Sequence, residues 1–243
     1  MAEVIFWAAI FIVFYTYIGY SLVITLLSFF FNNPVRKGDY EPKVTFLITA
    51  YNEEKGLAQK LENTLSLDYP KEKLEILVAS DGSTDGTDEI VRGFASRGVK
   101  LVRVEGRVGK TQTQNTAVKS ATGEIIIFSD ATTRYENANI KKIVRNYADQ
   151  TVGAVSGRYE YCNPTGATIG IGNILFWKYE NHIKSAQTRI KTITGCCGCI
   201  YSLRRVLYEP LPPDIISDLV EPLKILEKGY RIAFEQEAVA YEE

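Results

Sequence analysis

Leu74-Glu75-Ile76-Leu77-Val78-Ala79-Ser80-Asp81 and Glu124-Ile125-Ile126-Ile127-Phe128-Ser129-Asp130 decide the fold. Each is a short, β-rich apolar run closed by an aspartate and flanked by helix-period patterns. Runs that are apolar at consecutive positions, rather than alternate ones, predict parallel strands covered on both faces. An acid at the carboxyl end of such a strand falls at the crevice where open α/β sheets bind ligands. Asp218, beyond the Pro212-Pro213 break, is a third acid of the same interest.

Outward from these runs the pattern alternates. Val44-Thr45-Phe46-Leu47-Ile48-Thr49 reads as the first strand, and Leu57, Leu61 and Leu65 then share one helical face. Thr84-Asp85, with Asp88 and Glu89, starts a helix that turns Ile90, Val91 and Phe94 inward. Residues 99–104 read as a third strand, and 112–120 as a helix leading into the 125–128 strand. Ile140, Ile143, Val144 and Tyr147 mark another amphipathic helix. The expectation is an α/β fold with a mostly parallel, doubly wound sheet. Further on, 152–161 reads as a strand, 169–186 and 217–228 as helices, and 231–234 and 238–241 as short closing strands.

The 243 residues carry 28 basic and 29 acidic side chains, with no long run of either sign. That balance gives no electrostatic footprint for nucleic acid, and no such partner is expected. Residues 4–35 contain no charge. At about 1.5 Å per residue such a helix exceeds the ~30 Å hydrocarbon core, so 1–34 are expected to form one transmembrane helix, tilted or partly interfacial. A signal peptide wants a basic start and a shorter apolar stretch. Only Met1, Ala2 and Glu3 precede the segment, whereas Arg36, Lys37 and Lys43 follow it. The positive-inside rule then places the remainder in the cytoplasm. Residues 35–43 read as a linker and 44–243 as the soluble domain. Cys196, Cys197 and Cys199 are poor disulfide partners for one another and match no zinc spacing; reduced thiols are expected.

Several motifs have a chemical and a plain structural reading. In Thr49-Ala50-Tyr51-Asn52-Glu53 the acid opens a helix, which is ordinary capping as well as a ligand position. In Asp81-Gly82-Ser83-Thr84-Asp85-Gly86-Thr87, Asp81 can accept hydrogen bonds from a ribose or a base, and Asp85 reads as a cap. Gly109-Lys110-Thr111 is not a triphosphate loop, because Val104 stands where that loop needs glycine. Lys110 can still neutralise a diphosphate, or be simply solvated. Ser129-Asp130-Ala131-Thr132 sets a carboxylate against an apolar wall, and a buried charge needs a partner. Magnesium or manganese suits one carboxylate if substrate phosphates complete the shell. His182 reads as structural. The small residues at 195–198 imply close backbone approach to a ligand or another helix. Asp218 is either a helix cap or a catalytic acid.

In sequence order these pieces resemble the family 2 inverting glycosyltransferases, the cellulose and hyaluronan synthase-like branch of the GT-A-type nucleotide-sugar fold. They are Thr49 to Glu53, Asp81 to Thr87, Gly109-Lys110 with Asn115, Ser129-Asp130-Ala131, Gly195 to Arg205, and Ser217-Asp218. No one piece is specific; the ordered set is. The resemblance implies a hexosyltransferase that uses a nucleotide sugar, a UDP-sugar, and a carbohydrate or lipid-linked acceptor at the membrane. Carried over by position, Tyr51, Glu53 and Asp81 match residues that hold the nucleoside, Thr49 begins the same donor-binding stretch, and Lys110 lies near it. Asp130 matches the metal-associated acid of Asp-x-Asp, implying Mn2+ or Mg2+ with the donor diphosphate. Asp218, four residues before Pro222, matches the general base.

Three acids of the family pattern are replaced here, by Ser80, Thr132 and Ser217. Weaker metal affinity follows from Thr132. The Gln-x-x-Arg-Trp motif of processive members and the later membrane helices do not occur before Glu243, as in a chain cut short. The lost acids also motivate a second reading, a catalytically idle nucleotide-binding relative or scaffold subunit. A nucleotidyltransferase is disfavoured, because the first strand lacks a Gly-rich basic start.

Overall fold

The structure, a computed structural model, describes residues 1–162 and 168–242. Glu243, the expected last residue of the soluble domain, lies outside them. The chain opens with α1, Ala2–Phe30, a helix of 29 residues with mean hydropathy 2.0 that is long and apolar enough to cross a membrane. A π-helical turn at Tyr15–Gly19 interrupts its regular winding.

The expected alternation follows. Strands β1 (Val44–Ala50), β2 (Leu74–Asp81), β3 (Val99–Val104) and β4 (Ile125–Asp130) are parallel. Between them come α2 (Leu57–Leu65), α3 (Thr87–Gly93) and α4 (Lys110–Val118). Side chains alternate across a strand, and the triple isoleucine shows the consequence. Ile125 and Ile127 pack on one face with Phe46, Leu57, Leu61 and Val91. Ile126 and Phe128 pack on the other with Leu47, Leu77, Ala117 and Tyr201. Both faces are therefore dry, which is why the run is apolar at every position. Burying one such side chain contributes roughly 1.5–3 kcal/mol.

The second half is mixed. After β5 (Arg134–Tyr135) and α5 (Asn139–Val144) come β6 (Val152–Tyr161), α6 (Thr168–Ile190), β7 (Ile200–Arg204), α7 (Ser217–Glu227) and β8 (Arg231–Glu242). The eight strands form one sheet in the order β3-β2-β1-β4-β7-β6-β8-β5. β7 runs antiparallel to both β4 and β6, while β6 and β8 are parallel. Two differences from the sequence reading stand out. The segment 231–241 is one strand, not two; its register against β6 jumps from Gly157↔Glu235 to Arg158↔Val239, so the polar Glu235-Gln236-Glu237 stretch is an irregularity and not a turn. β7 was not expected as a strand, because it is only five residues long, lacks polar–apolar alternation and follows a Gly- and Cys-rich run.

Candidate active site

The chain winds outward from β1 to β2 to β3, then returns to lay β4 on the other side of β1. A crevice opens at such a switch point, beyond the carboxyl ends of the two strands. Thr49 and Asp130 are register partners there, and Thr49 Oγ1 is buried with no hydrogen-bond partner among the described residues.

Two turns are stitched together at this mouth. Asn52 takes the left-handed conformation with φ of 54°, which asparagine tolerates better than most residues. Its N–H donates to Ser83 Oγ (3.2 Å), and its Oδ1 accepts from the Thr84 N–H (2.8 Å). Asp85 accepts from the N–H of Thr87 (3.0 Å) and of Glu54 (3.2 Å), as a cap. Gly82 has φ of +64°, and a Cβ there would lie 2.5 Å from the Gly106 carbonyl oxygen.

Asp81 is only 4 % exposed. Its Oδ1 accepts from the Val108 N–H (2.8 Å) and the Thr113 hydroxyl (3.0 Å), and its Oδ2 from the Gly109 N–H (3.0 Å). The carboxylate thus anchors the 106–109 loop, whose Arg107 guanidinium stacks 4.2 Å over the Tyr51 ring.

The next residue connects the remaining acids. Lys110 pairs with Asp130 Oδ1 and reaches the Gly198 carbonyl oxygen at 3.5 Å. A Cβ on Gly198 would stand 2.5 Å from Asp218 Oδ2. The Cys196 N–H, in the same small-residue run, donates to the Asp218 carbonyl (3.1 Å). Asp81, Asp130 and Asp218 are therefore linked in a chain of contacts through Gly109, Lys110 and Gly198.

Negative charge is crowded around Glu53. Burial raises the Glu53 carboxyl, and the charges of Asp85, Asp130 and Glu242 add to that. Thr132, in the place of the second acid, donates to Glu242 Oε1 (2.6 Å), and Tyr159 donates to Glu242 Oε2 (2.9 Å). Lys60 lies buried behind Asp130, donating to Ser129 Oγ and the Thr133 carbonyl (2.6 Å each), with Tyr135 against its ammonium at 4.2 Å. Burial pushes its amine down to about 7, opposed by Cys199, Asp130 and Glu242. Among the described residues, no three His, Cys, Asp or Glu side chains are placed to hold a metal together.

Sequence reasoning missed Arg107, Lys60, Glu221 and Glu242. Lys60 was legible: it shares the face of Leu57, Leu61 and Thr64, all of them buried. Glu221 was legible too, one helical turn after Asp218. Glu242 was not, because only the sheet brings residue 242 to residue 132.

The family profile described as Glycosyl transferase family 2 matches residues 45–211. The chain belongs to glycosyl transferase family 2. Its relatives include a probable glycosyltransferase, YdaM, of Bacillus subtilis, 29 % identical in an alignment that covers 83 % of this chain and 51 % of that protein. Poly-beta-1,6-N-acetyl-D-glucosamine synthase of Staphylococcus aureus is 28 % identical, over 82 % of this chain and 49 % of its own length. The chain thus spans about half of these relatives. Among solved structures, the mannosyltransferase PcManGT from Pyrobaculum calidifontis, in complex with GDP-Man and Mn2+, superposes with a TM-score of 0.78. It is 28 % identical, over 94 % of this chain and 66 % of that one. Residues 1–349 of S. aureus TarS in complex with UDP-GlcNAc give a TM-score of 0.61 at 20 % identity, over 83 % of this chain and 59 % of that one, a likeness of fold. This family 2 chain thus has the GT-A-like α/β architecture, with one candidate membrane helix ahead of it.

Proposed function

We propose that the chain is the donor-binding and transfer part of a membrane-tethered inverting glycosyltransferase. It moves a sugar from a UDP-sugar to a carbohydrate or lipid-linked acceptor, with residues 1–34 in the membrane and 44–243 forming the cytoplasmic catalytic domain. One observation carries the reading: Lys110 connects Asp130, at the end of β4, to Gly198, which abuts Asp218.

In this reading Tyr51, Glu53 and Thr49 line the nucleoside side. Asp81 acts there through the loop it anchors, presenting Arg107 against Tyr51. Lys110 neutralises the diphosphate. Asp218 takes the proton of the acceptor hydroxyl as its oxygen bonds to the anomeric carbon, on the face opposite the departing diphosphate. The bond from that carbon to the diphosphate breaks, so the configuration inverts.

Asp130 is the residue that would hold Mn2+ or Mg2+, shared with the donor diphosphate. Its pairing with Lys110 occupies Oδ1 alone, and the crowding of Glu53, Asp130 and Glu242 favours a further cation. Such an ion supplies charge stabilisation on the leaving diphosphate. It takes more than one carboxylate to fix it, so donor oxygens are required.

The test is a donor screen on the full-length protein, reading binding and nucleotide release with UDP-glucose, UDP-N-acetylglucosamine and GDP-mannose in the presence of manganese. Asp218→Asn is expected to bind donor as the parent does and to lose transfer. Failure of every sugar nucleotide to bind would end this reading. Donor bound without turnover would favour the scaffold reading that Ser80, Thr132 and Ser217 motivate.

A further inference from the structure

A cavity of about 590 Å³ lies between the end of α1, helix α6 and strand β6. Its walls differ sharply in chemistry. Phe29, from the last turn of α1, forms an apolar side, and Trp177, 4.5 Å from the Tyr159 ring, forms an aromatic one. Arg158, Lys178 and Arg189 line it against a single carboxylate, Glu160, which pairs with Arg158 at 2.9 Å. The Arg158 Nε is nevertheless buried without a hydrogen-bond partner among the described residues.

The placement says what such a cavity would admit. α1 ends here, and α6 continues its greasy surface with Ile171, Leu175 and Phe176, each more than half exposed. His182 Nε2 and Thr25 Oγ1, 2.8 Å apart, tie the two helices together. Tryptophan and lysine beside the end of an apolar helix are where a membrane meets water. Tyr159 connects the cavity to the candidate site: it lines the first, and its hydroxyl donates to the Glu242 carboxylate that Thr132 also bonds.

We propose that this cavity binds the phosphorylated headgroup of a lipid-linked acceptor. The phosphate lies beside Arg158, with Lys178 and Arg189, about 16 Å apart along α6, supplying positive charge at the two ends of the cavity, and the chain runs along Phe29 into the bilayer. The proposal rests on the glycosyl-transfer reading for its role, but not for its binding chemistry. An excess of cations selects an anion, arginine being suited to phosphate in particular, and the apolar wall selects an amphiphile over a free ion.

The probe is built in. Trp7 and Trp177 are the only two tryptophans, so Trp7→Phe leaves Trp177 as the sole indole reporter. The full chain in detergent micelles is titrated with farnesyl phosphate, farnesol and inorganic phosphate, following Trp177 emission. Farnesyl phosphate is expected to give a saturable change that neither farnesol nor inorganic phosphate gives. Lys178→Glu combined with Arg189→Glu, both exposed positions, should weaken it at least tenfold with donor affinity unchanged. Equal saturation by farnesol, a full response to inorganic phosphate alone, or undiminished affinity in the double variant would overturn the proposal. Farnesyl phosphate binding in a chain that binds no nucleotide sugar would keep the site and remove the transferase reading.

Discussion

Lys110, in the first turn of α4, and Asp130, at the end of β4, form an ion pair at the mouth of the crevice, where 40 % and 36 % of their side chains remain exposed. A pair so exposed contributes only about 0–1 kcal/mol to stability. In the proposed reading, its value lies in the charge that it keeps at the place where a diphosphate would sit. Lys110→Ala is therefore expected to melt near the parent temperature while losing roughly 10–100-fold in UDP affinity, the equivalent of one charged hydrogen bond. Calorimetry with UDP decides it. Unchanged affinity in a normally folded variant would remove Lys110 from the donor site.

Gly198 tests the other end of the same path. Its missing side chain leaves room for Asp218 Oδ2, since a Cβ would stand 2.5 Å away. Gly198→Ala must displace the carboxylate or the 195–199 run. Transfer should fall at least tenfold while UDP binding stays within about twofold, because about 1.4 kcal/mol corresponds to a factor of ten. A variant that folds and transfers at the parent rate would show that Asp218 does not act from this position.

The parallel half of the sheet was legible because two dry faces force the central positions of β1, β2 and β4 (46–48, 76–79 and 125–128) to be apolar without alternation. Ends of elements were legible where a special residue fixes them, as Asp85 does for α3. The antiparallel half was harder. β7 follows a run of glycine and cysteine, and the irregularity around Gln236 in β8 mimics a turn. At the site, the three aspartates could be picked out because each ends a strand or begins a helix. What their oxygens meet could not. Asp81 is satisfied by backbone N–H groups of its own chain, and pairings such as Thr132 with Glu242 depend on long-range packing that no spacing rule reaches.

Glu75 gives an acid-side prediction. Burial alone would raise its carboxyl, but the Thr122 N–H (2.8 Å), the Thr45 hydroxyl (2.7 Å) and Lys100 (2.9 Å) outweigh it and hold it at about 2. A depressed carboxyl stabilises the fold above its unfolded value, and that contribution is lost as pH falls from about 4.5 toward 2. The slope is at most about 1.4 kcal/mol per pH unit. Glu75→Gln should flatten the acid limb of the unfolding curve and cost about 1–3 kcal/mol at neutral pH through its weakened hydrogen bonds. An acid limb identical to that of the parent would show that other carboxyls govern it.

Glu221 predicts the opposite slope. It is 3 % exposed on α7, and burial pushes its carboxyl up to about 8, with the Tyr201 hydroxyl lowering it and the charge of Asp218 raising it. Tyr201 donates to Oε2 at 3.0 Å, and Oε1 has no partner among the described residues, so a single hydrogen bond is all that supports the ionised form. Between pH 4.5 and 8 the folded chain holds this proton while the unfolded chain has released it. Stability is then fully present below about 4.5 and falls with rising pH until about 8, again by at most about 1.4 kcal/mol per unit. Glu221→Gln keeps the shape and removes the titration. Thermal unfolding of the full chain in micelles should find parent and variant most alike near pH 5, with the variant ahead by pH 8. Parallel curves across that range would mean that Glu221 is ionised in the fold, with a negative charge one turn from Asp218.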